Sequence, residues 1–538
     1  MTSNLNPKYN IIQPLLLASV MAIGIMIGFK IKDNHHRIDL IEKLDSSYGY
    51  HQTGRVEELL RFIDHKYVDS IDMDTLLDDA IFALIDNLDP HSEYLTPNEV
   101  EDIQHQMEGQ FRGIGIETIM IRDTATIYKV LDVSPAKKAG ILPGDKIIRI
   151  DTFLVAGNAK PFSEIRQHMK KPKGEFMLLE LQRMGKKHSI KIKVEDIAIP
   201  SVPCGYLVND SLIYVRIERF GSNTYKDFMN VIEQNFGEAK SKNLVIDLRG
   251  NPGGYLPEAT NILSQIFEDK NKILVTTKTK NNQISEYKST GKRFFNIQHL
   301  AIVVDEHSAS ASEIIAGAIQ DWDRGTIFGR RTYGKGLVQE QYDLSNGGAI
   351  RLTVAKYFTP SGRSIQRSYK DKFEYESDLL LRATNGDYFK SNTQVFSSDT
   401  SKHYYSLVKK RELLAGGGIN PDVFVPLDSM LFKEKYKDLE SKLIEYYLDH
   451  FRKNAYKDYT TFEKIKSFSL STKDFDHFLS ESKLPLPPED KKKMFLTVSK
   501  LFKMVMANCW LSTLQNQQLI NHLDDEIIQA VDFLNAKK

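Results

Sequence analysis

The sequence predicts a multidomain chain of the α/β plus β class. A small β-rich module precedes a larger core of alternating strands and helices, and helical segments flank both. Three observations predict this. Leu244 to Leu248 and Leu300 to Asp305 are short, almost wholly apolar runs bounded by polar residues, as buried parallel strands are, and each is followed by a helical pattern. Residues 108 to 195 instead hold short strands separated by turns rich in Gly and Pro. The chain has 538 residues, enough for about three or four domains.

Composition narrows the classes of function. Hydrophobic residues make up 41%, which suits packed cores and excludes a disordered chain. Lys+Arg is 72 and Asp+Glu 71, so the net charge is +1 and no global field favours nucleic acid. Two cysteines, Cys204 and Cys509, cannot build a disulfide framework or a CxxC metal site, and both read as buried thiols.

In chain order, residues 1–30 come first. Ile11 to Phe29 is apolar apart from Gln13, Pro14, Ser19 and Gly24. Its length approaches the roughly 20 residues that cross a bilayer, and no small-residue cleavage site follows. It reads as an uncleaved signal anchor. Counting basic residues around it would leave the body in the cytoplasm. The commoner use of such a segment, as an export signal, places the body outside, and that is the expectation taken here.

Residues 31–107 read as helical. Val56, Leu59, Leu60, Ile63 and Tyr67 share one face, as do Leu76, Leu77, Ala80, Ile81, Leu84, Ile85 and Leu88. Asp74 is the expected N-cap of the second helix, and Asp89-Pro90 ends it. His91 reads as structural.

Residues 108–195 form the β module. Strands are expected near Gly113 to Glu117, Thr126 to Val130, Lys146 to Asp151, Phe176 to Arg183 and Ser189 to Val194. A short helix opens at Ser134 and ends at Gly140, and a longer one covers Phe162 to Met169.

Residues 196–428 alternate strand and helix. Ligands in such cores sit beyond the carboxyl ends of the strands. Two unusual segments fall there: Arg249 to Gly254 after one strand, and Ser308 to Ser312 after the next. A serine attacks at neutral pH only if a base takes its proton. Lys335, between Gly334 and Gly336, can be that base if burial lowers its pKa.

Ser308, Ser310 and Ser312 compete for the nucleophile role. Ser312 suits an N-cap for a helix beginning near Glu313. Ser310 is the better candidate, because the backbone N–H of Ala311 can then serve an oxyanion hole at a helix N-terminus. Gly253-Gly254 offers a second donor. Gln339, four residues beyond Lys335 on an extended segment, faces the same way and can orient the amine. His307 would head a Ser-His-Asp alternative. No HExxH or other ligand cluster asks for a metal, and no cofactor is expected.

Residues 371–406 look like an exposed insertion. Residues 429–538 form a helical region, with Leu439, Leu443, Ile444, Tyr447 and Leu448 in one stripe. This tail shows no chemistry. It reads as a packing or homo-oligomerisation module, or as an adaptor surface.

Several motifs carry a family resemblance. Ser134-Pro-Ala-x-x-Ala-Gly-Ile-x-Pro-Gly-Asp145 resembles the PDZ modules of bacterial proteases. Leu248-Arg-Gly-Asn-Pro-Gly-Gly254, Ser308-Ala-Ser-Ala-Ser-Glu313 and Gly334-Lys-Gly-Leu-Val-Gln339 resemble the signature segments of the C-terminal processing (tail-specific) peptidases. Leu88-Asp-Pro-His-Ser-Glu-Tyr-Leu95 and Thr359-Pro-Ser-Gly-Arg363 resemble further family segments. The resemblance spans about residues 45 to 428. It implies a crotonase-like core and a Ser-Lys serine endopeptidase anchored in the bacterial inner membrane, with its body in the periplasm. Ser310 would be nucleophile, Lys335 general base and Gln339 its orienting partner. The amides of Ala311 and Gly254 would hold the oxyanion. Gly113, Ile114, Gly115 and Ile116 would receive the carboxylate of a substrate's apolar C-terminal tail. Arg166 resembles an arginine that couples the PDZ module to the site. A tethered PDZ scaffold without activity is the competing reading.

Overall fold

The computed structural model describes residues 54–157, 160–237, 241–390, 403–430, 436–449 and 458–537. The chain divides into two compact units, residues 1–84 and 85–538. In the first, the described part is the helix Gly54–Lys66 and most of the helix Met73–Asp86. Asp72, and not Asp74, receives the first amides of that second helix: its Oδ1 accepts from the Asp74 N–H at 3.1 Å. The expected cap therefore sits two residues early. The apolar run 11–29 lies outside the described residues. Among the described residues, no helix is long and apolar enough to cross a membrane.

Within residues 85–538, the PDZ-like module is a sheet of Ile116–Ile121, Thr124–Val130, Lys146–Ile150, Phe176–Arg183 and Lys186–Lys193, paired in that order. Period-two alternation builds its core: Met177, Leu179 and Leu181 are buried, while Phe176 and Leu178 face out. The turn before Lys146 is set by a fully buried Asp145. Its carboxylate takes two bonds from the Arg183 guanidinium, at 2.7 and 2.6 Å, and one from the Leu142 N–H at 2.9 Å. Pairing pays for the desolvation of that charge. Ser134 caps the short helix Pro135–Lys138 by accepting from the Lys137 N–H. Ile116–Ile121 is an end strand, paired on one side only.

The core sheet runs Cys204–Asn209, Leu212–Arg216, Lys242–Asp247, Ile297–Val304, Thr326–Gly329, Val423–Phe424. All its pairings are parallel except the first. Successive side chains alternate between two apolar clusters. Leu244, Ile246, Leu300 and Ile302 pack under helices Thr224–Phe236, Leu256–Ile266 and Ala311–Asp321. Val245, Ala301, Val303 and Tyr214 pack instead with Ile527, Ala530 and Leu534 of the helix Asp525–Asn535. A buried parallel sheet needs cover on both faces, and the C-terminal region supplies the second cover.

A further antiparallel sheet joins Glu93–Leu95, Ala349–Phe358, Ile273–Thr279 and Ile284–Lys288, with Leu337–Asp343 also on Ala349–Phe358. Its strand Glu93–Leu95 falls inside the stretch expected to be helical. Tyr94 and Leu95 are buried there, so tertiary pairing overrides the helical surroundings.

One other expectation changes. The insertion at 371–406 is not simply an exposed loop. It begins with helices Lys372–Glu376 and Asp378–Asn385, and Arg382 is buried with its guanidinium donating to the Arg331, Thr332 and Tyr333 carbonyls. Those carbonyls need partners inside the fold, and the insertion delivers them. The C-terminal helices pack on the rest of the chain, in line with the packing reading of this tail. Ile119, Ile121 and Tyr128 of the PDZ-like module belong to the same cluster as Leu439, Leu443, Phe478 and Phe502. Lys146 bonds Asp449 at 3.0 Å across that contact. Cys204 and Cys509 are free and buried.

Candidate active site

The site forms where two core strands end. After Asp247 the chain turns through Gly250, Gly253 and Gly254, all at positive φ. At Gly253 (φ +101°) a side chain has no room: an added Cβ would lie 2.7 Å from the Ser310 Cβ and 2.8 Å from the Ala309 carbonyl oxygen. Glycine lets this turn press against the serine. Asn251 braces it, accepting from the Gly253 N–H at 2.8 Å and donating to the Ile217 carbonyl at 2.9 Å.

Ser310 stands at the sharp entry to the helix Ala311–Asp321, with φ 53° and ψ −113°. A non-glycine residue held there is strained, and such strain collects at functional sites. Ser310, and not Ser312, is the N-cap residue. Ser312 is already helical, and its hydroxyl donates to the Asn251 carbonyl at 3.0 Å. The helix begins at Ala311, so the N-cap is Ser310, and Glu313 reaches back to the Ser310 N–H at 2.9 Å. Ser308 is fully buried, and its hydroxyl donates to the Leu248 carbonyl at 2.9 Å. Of the three serines, only Ser310 lines the cleft described below.

The N–H groups of Ala311 and Gly254 have no acceptor among the described residues. An unpaired amide at Ala311 is what the first turn of a helix leaves. At Gly254 it arises because Phe220 bonds its neighbours instead: the Phe220 N–H goes to the Gly253 carbonyl, and the Tyr255 N–H to the Phe220 carbonyl.

Lys335 donates from Nζ to the Gln339 Oε1 at 2.8 Å. Gln339 is oriented in turn, because its Nε2 donates to the His91 carbonyl. That carbonyl fixes which end of the amide faces the lysine. It is held by the Asp89-Pro90-His91-Ser92 loop. Asp89 accepts from the His91 N–H at 2.9 Å, the Ser92 hydroxyl at 2.6 Å and the Thr353 hydroxyl at 3.0 Å. Burial lowers the Lys335 pKa, and the nearby Arg351 charge adds to the shift. The His91 ring bonds the Tyr375 hydroxyl, and burial with the neighbouring Lys335 brings its pKa down to about 4, so it stays neutral. No hydrogen bond joins Ser310 Oγ to Lys335 Nζ among the described residues. Ser310, Lys335, Gln339, Gly253 and Gly254 nevertheless line one cleft of about 1300 Å³, floored by Val100, Ile103 and Met107 of the helix Pro97–Met107. His307 is exposed and no histidine among the described residues lines this cleft, so the Ser-His-Asp alternative finds no base among them.

Glu313 carries no role in the sequence reading, yet it joins the two halves of the site. Its Oε1 accepts from the Thr332 hydroxyl at 2.5 Å and the Gly334 N–H at 2.7 Å. Its Oε2 accepts from the Lys335 N–H at 2.8 Å and from the Ser310 N–H. Burial pushes this carboxyl up to about 7 against the pull of those four donors. The spacing Ser310-x-x-Glu313 is a capping box, which was the available signal. Tyr357 adds a second tie, its hydroxyl lying 3.0 Å from the Ser310 carbonyl and 2.5 Å from that of Lys335. Arg367, stacked 4.0 Å from both the Tyr333 and Tyr375 rings, packs the far side of the lysine segment.

In the PDZ-like module, Gly113 to Ile116 links the strand Gln110–Gly113 to Ile116–Ile121. Ile114 is buried, and Gly115 takes φ +82° because Ser134 leaves no space for a Cβ. Arg166 lies exposed on the helix Phe162–Met169, with no hydrogen bond or ion pair among the described residues, and is not brought to the cleft.

Comparison with known proteins agrees with this architecture. Residues 113–194 match the PDZ domain model and residues 211–374 match Peptidase family S41. The chain is 34% identical over 320 residues to the carboxy-terminal-processing protease of Bartonella bacilliformis, covering 59% of this chain and 73% of that protein. It is 32% identical to the carboxy-terminal processing protease CtpB of Bacillus subtilis, covering 58% of this chain and 65%, just under two thirds, of the relative. A solved photosystem II D1 C-terminal processing protease aligns at 26% identity over 57% of this chain and 83% of its own, with a TM-score of 0.35. A PDZ domain followed by a peptidase core is what these family models and relatives match, and the chain belongs to the carboxy-terminal-processing serine proteases of peptidase family S41.

Proposed function

We propose that this chain captures the C-terminal tails of proteins on its PDZ domain and cuts them with a Ser310–Lys335 dyad. The observation that carries this reading is the shared cleft. It holds a strained serine, an amine whose pKa is lowered by burial, and two unpaired amides beside the serine. In the reaction, the neutral Lys335 amine takes the Ser310 hydroxyl proton as Oγ bonds the peptide carbonyl carbon. The Ala311 and Gly254 amides hold the resulting oxyanion. The C–N bond then breaks, and Lys335 returns its proton to the leaving amine. Water, deprotonated by the same lysine, releases the acyl group from Ser310. Gln339 receives the amine between these steps. Catalytic hydrogen bonds tighten in the substrate complex, and the Ser310–Lys335 bond is expected to form there.

Tail capture is supported by the unpaired edge of Ile116–Ile121. An extended peptide can join it as an added strand, with its carboxylate at Gly113 to Ile116. The apolar run 11–29 supports anchorage in the bacterial inner membrane with the body in the periplasm. Fractionation with externally added protease tests that placement, and a body protected in intact spheroplasts overturns it.

Wild type and Ser310→Ala are to be incubated with an unstructured protein bearing an apolar C-terminus. Cleavage by wild type alone is the expected result. Equal cleavage by both removes Ser310 from the chemistry. The lowered Lys335 pKa also sets a pH profile. The base is active when deprotonated, so kcat/KM rises with pH and reaches half its maximum below the ordinary lysine value of 10.5. A midpoint at or above that value contradicts a buried lysine base.

A further inference from the structure

The C-terminal region, silent in the sequence, reaches the root of the site. Arg249 opens the glycine turn that carries Gly254. Its guanidinium is doubly bonded to Asp247, at 2.9 and 2.7 Å. Its remaining nitrogen donates to Asp524 at 2.7 Å and to Glu526 at 2.5 Å. Arg330 opens the segment that carries Lys335. It donates to Glu306 at 2.7 Å and to the other oxygen of Glu526. Glu306 stands just before the serine segment. Glu526 thus touches the roots of both the oxyanion turn and the lysine segment, with one oxygen for each.

Glu526 and Arg330 are buried, so these contacts are not the screened surface kind. The helix that bears Glu526 is placed independently, by Ile527, Ala530 and Leu534 packed on the core sheet. Its first turn suits a carboxylate, and Asp524 caps it by accepting from the Glu526 and Ile527 N–H groups.

We propose that Glu526 is a positioning residue for catalysis: its carboxylate locks the oxyanion turn and the lysine segment in register with Ser310. The proposal rests on the Ser310–Lys335 reading and extends it to a residue outside the matched peptidase segment. Loss of the lock lets two segments beside Ser310 drift while the helix Pro97–Met107 side of the cleft and the PDZ edge, which Glu526 does not touch, keep their places. The effect should therefore fall on kcat.

The test compares full-length wild type, Glu526→Gln, Ile527→Ala and Ser310→Ala on one peptide-tailed substrate, with melting temperatures and tail-peptide affinity measured alongside. Glu526→Gln should lower kcat about 10- to 100-fold, since small misplacements of catalytic groups cost that much, with KM and tail affinity within about twofold. Ile527→Ala, which loosens the same helix without touching either arginine, should lower the melting temperature but keep kcat within about twofold. Full kcat in Glu526→Gln overturns the proposal, and so does an equal kcat loss in Ile527→Ala, which would make the effect one of general stability. If Glu526→Gln does not fold, Arg330→Lys tests the same link. It keeps the charge but loses the fork, and unchanged kcat there overturns the proposal too. If wild-type cleavage does not depend on Ser310, the dyad reading fails and takes this proposal with it, whereas full kcat in Glu526→Gln with Ser310 still required overturns this proposal alone.

Discussion

Lys335→Ala should abolish measurable cleavage, with kcat falling on the order of 10⁴-fold, while the PDZ domain binds tail peptides as wild type does. The size follows from the role. Without a base the Ser310 proton has nowhere to go, and the unpaired amides alone leave only residual catalysis. Binding is spared because the Ile116–Ile121 edge belongs to a separate sheet with its own core. Isothermal titration with a tail peptide and a cleavage assay on the same preparation decide it. A matching loss of binding would mean that the lysine supports the fold of the tail-binding module and is not its chemical partner.

Glu313→Gln should come next in size, lowering kcat about 100-fold. Each oxygen of the native carboxylate accepts from at least one backbone N–H that cannot rotate away: Gly334 on one side, Lys335 and Ser310 on the other. A glutamine has a single acceptor oxygen, so its NH2 group must oppose at least one of them. That costs about 1–3 kcal/mol of stability as well as the register of the loop. A pH signature separates this cause from general damage. The folded pKa of Glu313 is raised from 4.5 to about 7, so its contribution is fully present below about pH 4.5 and is lost as pH rises through 7. Wild-type stability should carry that decline, and Glu313→Gln should lack it. Identical pH–stability curves for the two proteins would count against a raised pKa at this position.

The parts of the site that were legible in the sequence are those whose chemistry lies in short, local patterns. Gly253-Gly254 beside a strand end, a serine before a helix, and a lysine with a glutamine four residues on can each be read from neighbours in the chain. The N-cap was misplaced at Ser312 because two serines can cap. The choice between them was made by Glu313 reaching back, a contact that also depends on the distant Thr332 and Gly334. The orientation of Gln339 was not legible, because its partner is a backbone carbonyl at His91, which has no residue-type signature. Arg382 and Tyr375 were hidden in a polar stretch that resembles a loop until its buried arginine is paired. Glu526 was hidden for the same reason of distance: nothing in a helical tail announces that one carboxylate will meet two arginines of another domain.

That last contact spans 277 positions of chain from Arg249. A ribosome delivers the serine and the lysine long before it delivers residue 526. During that interval Arg249 and Arg330 lack the carboxylate that joins them in the finished fold. Under the role proposed for Glu526, the site would reach its final register only once the last helix has been made and has docked on the core sheet.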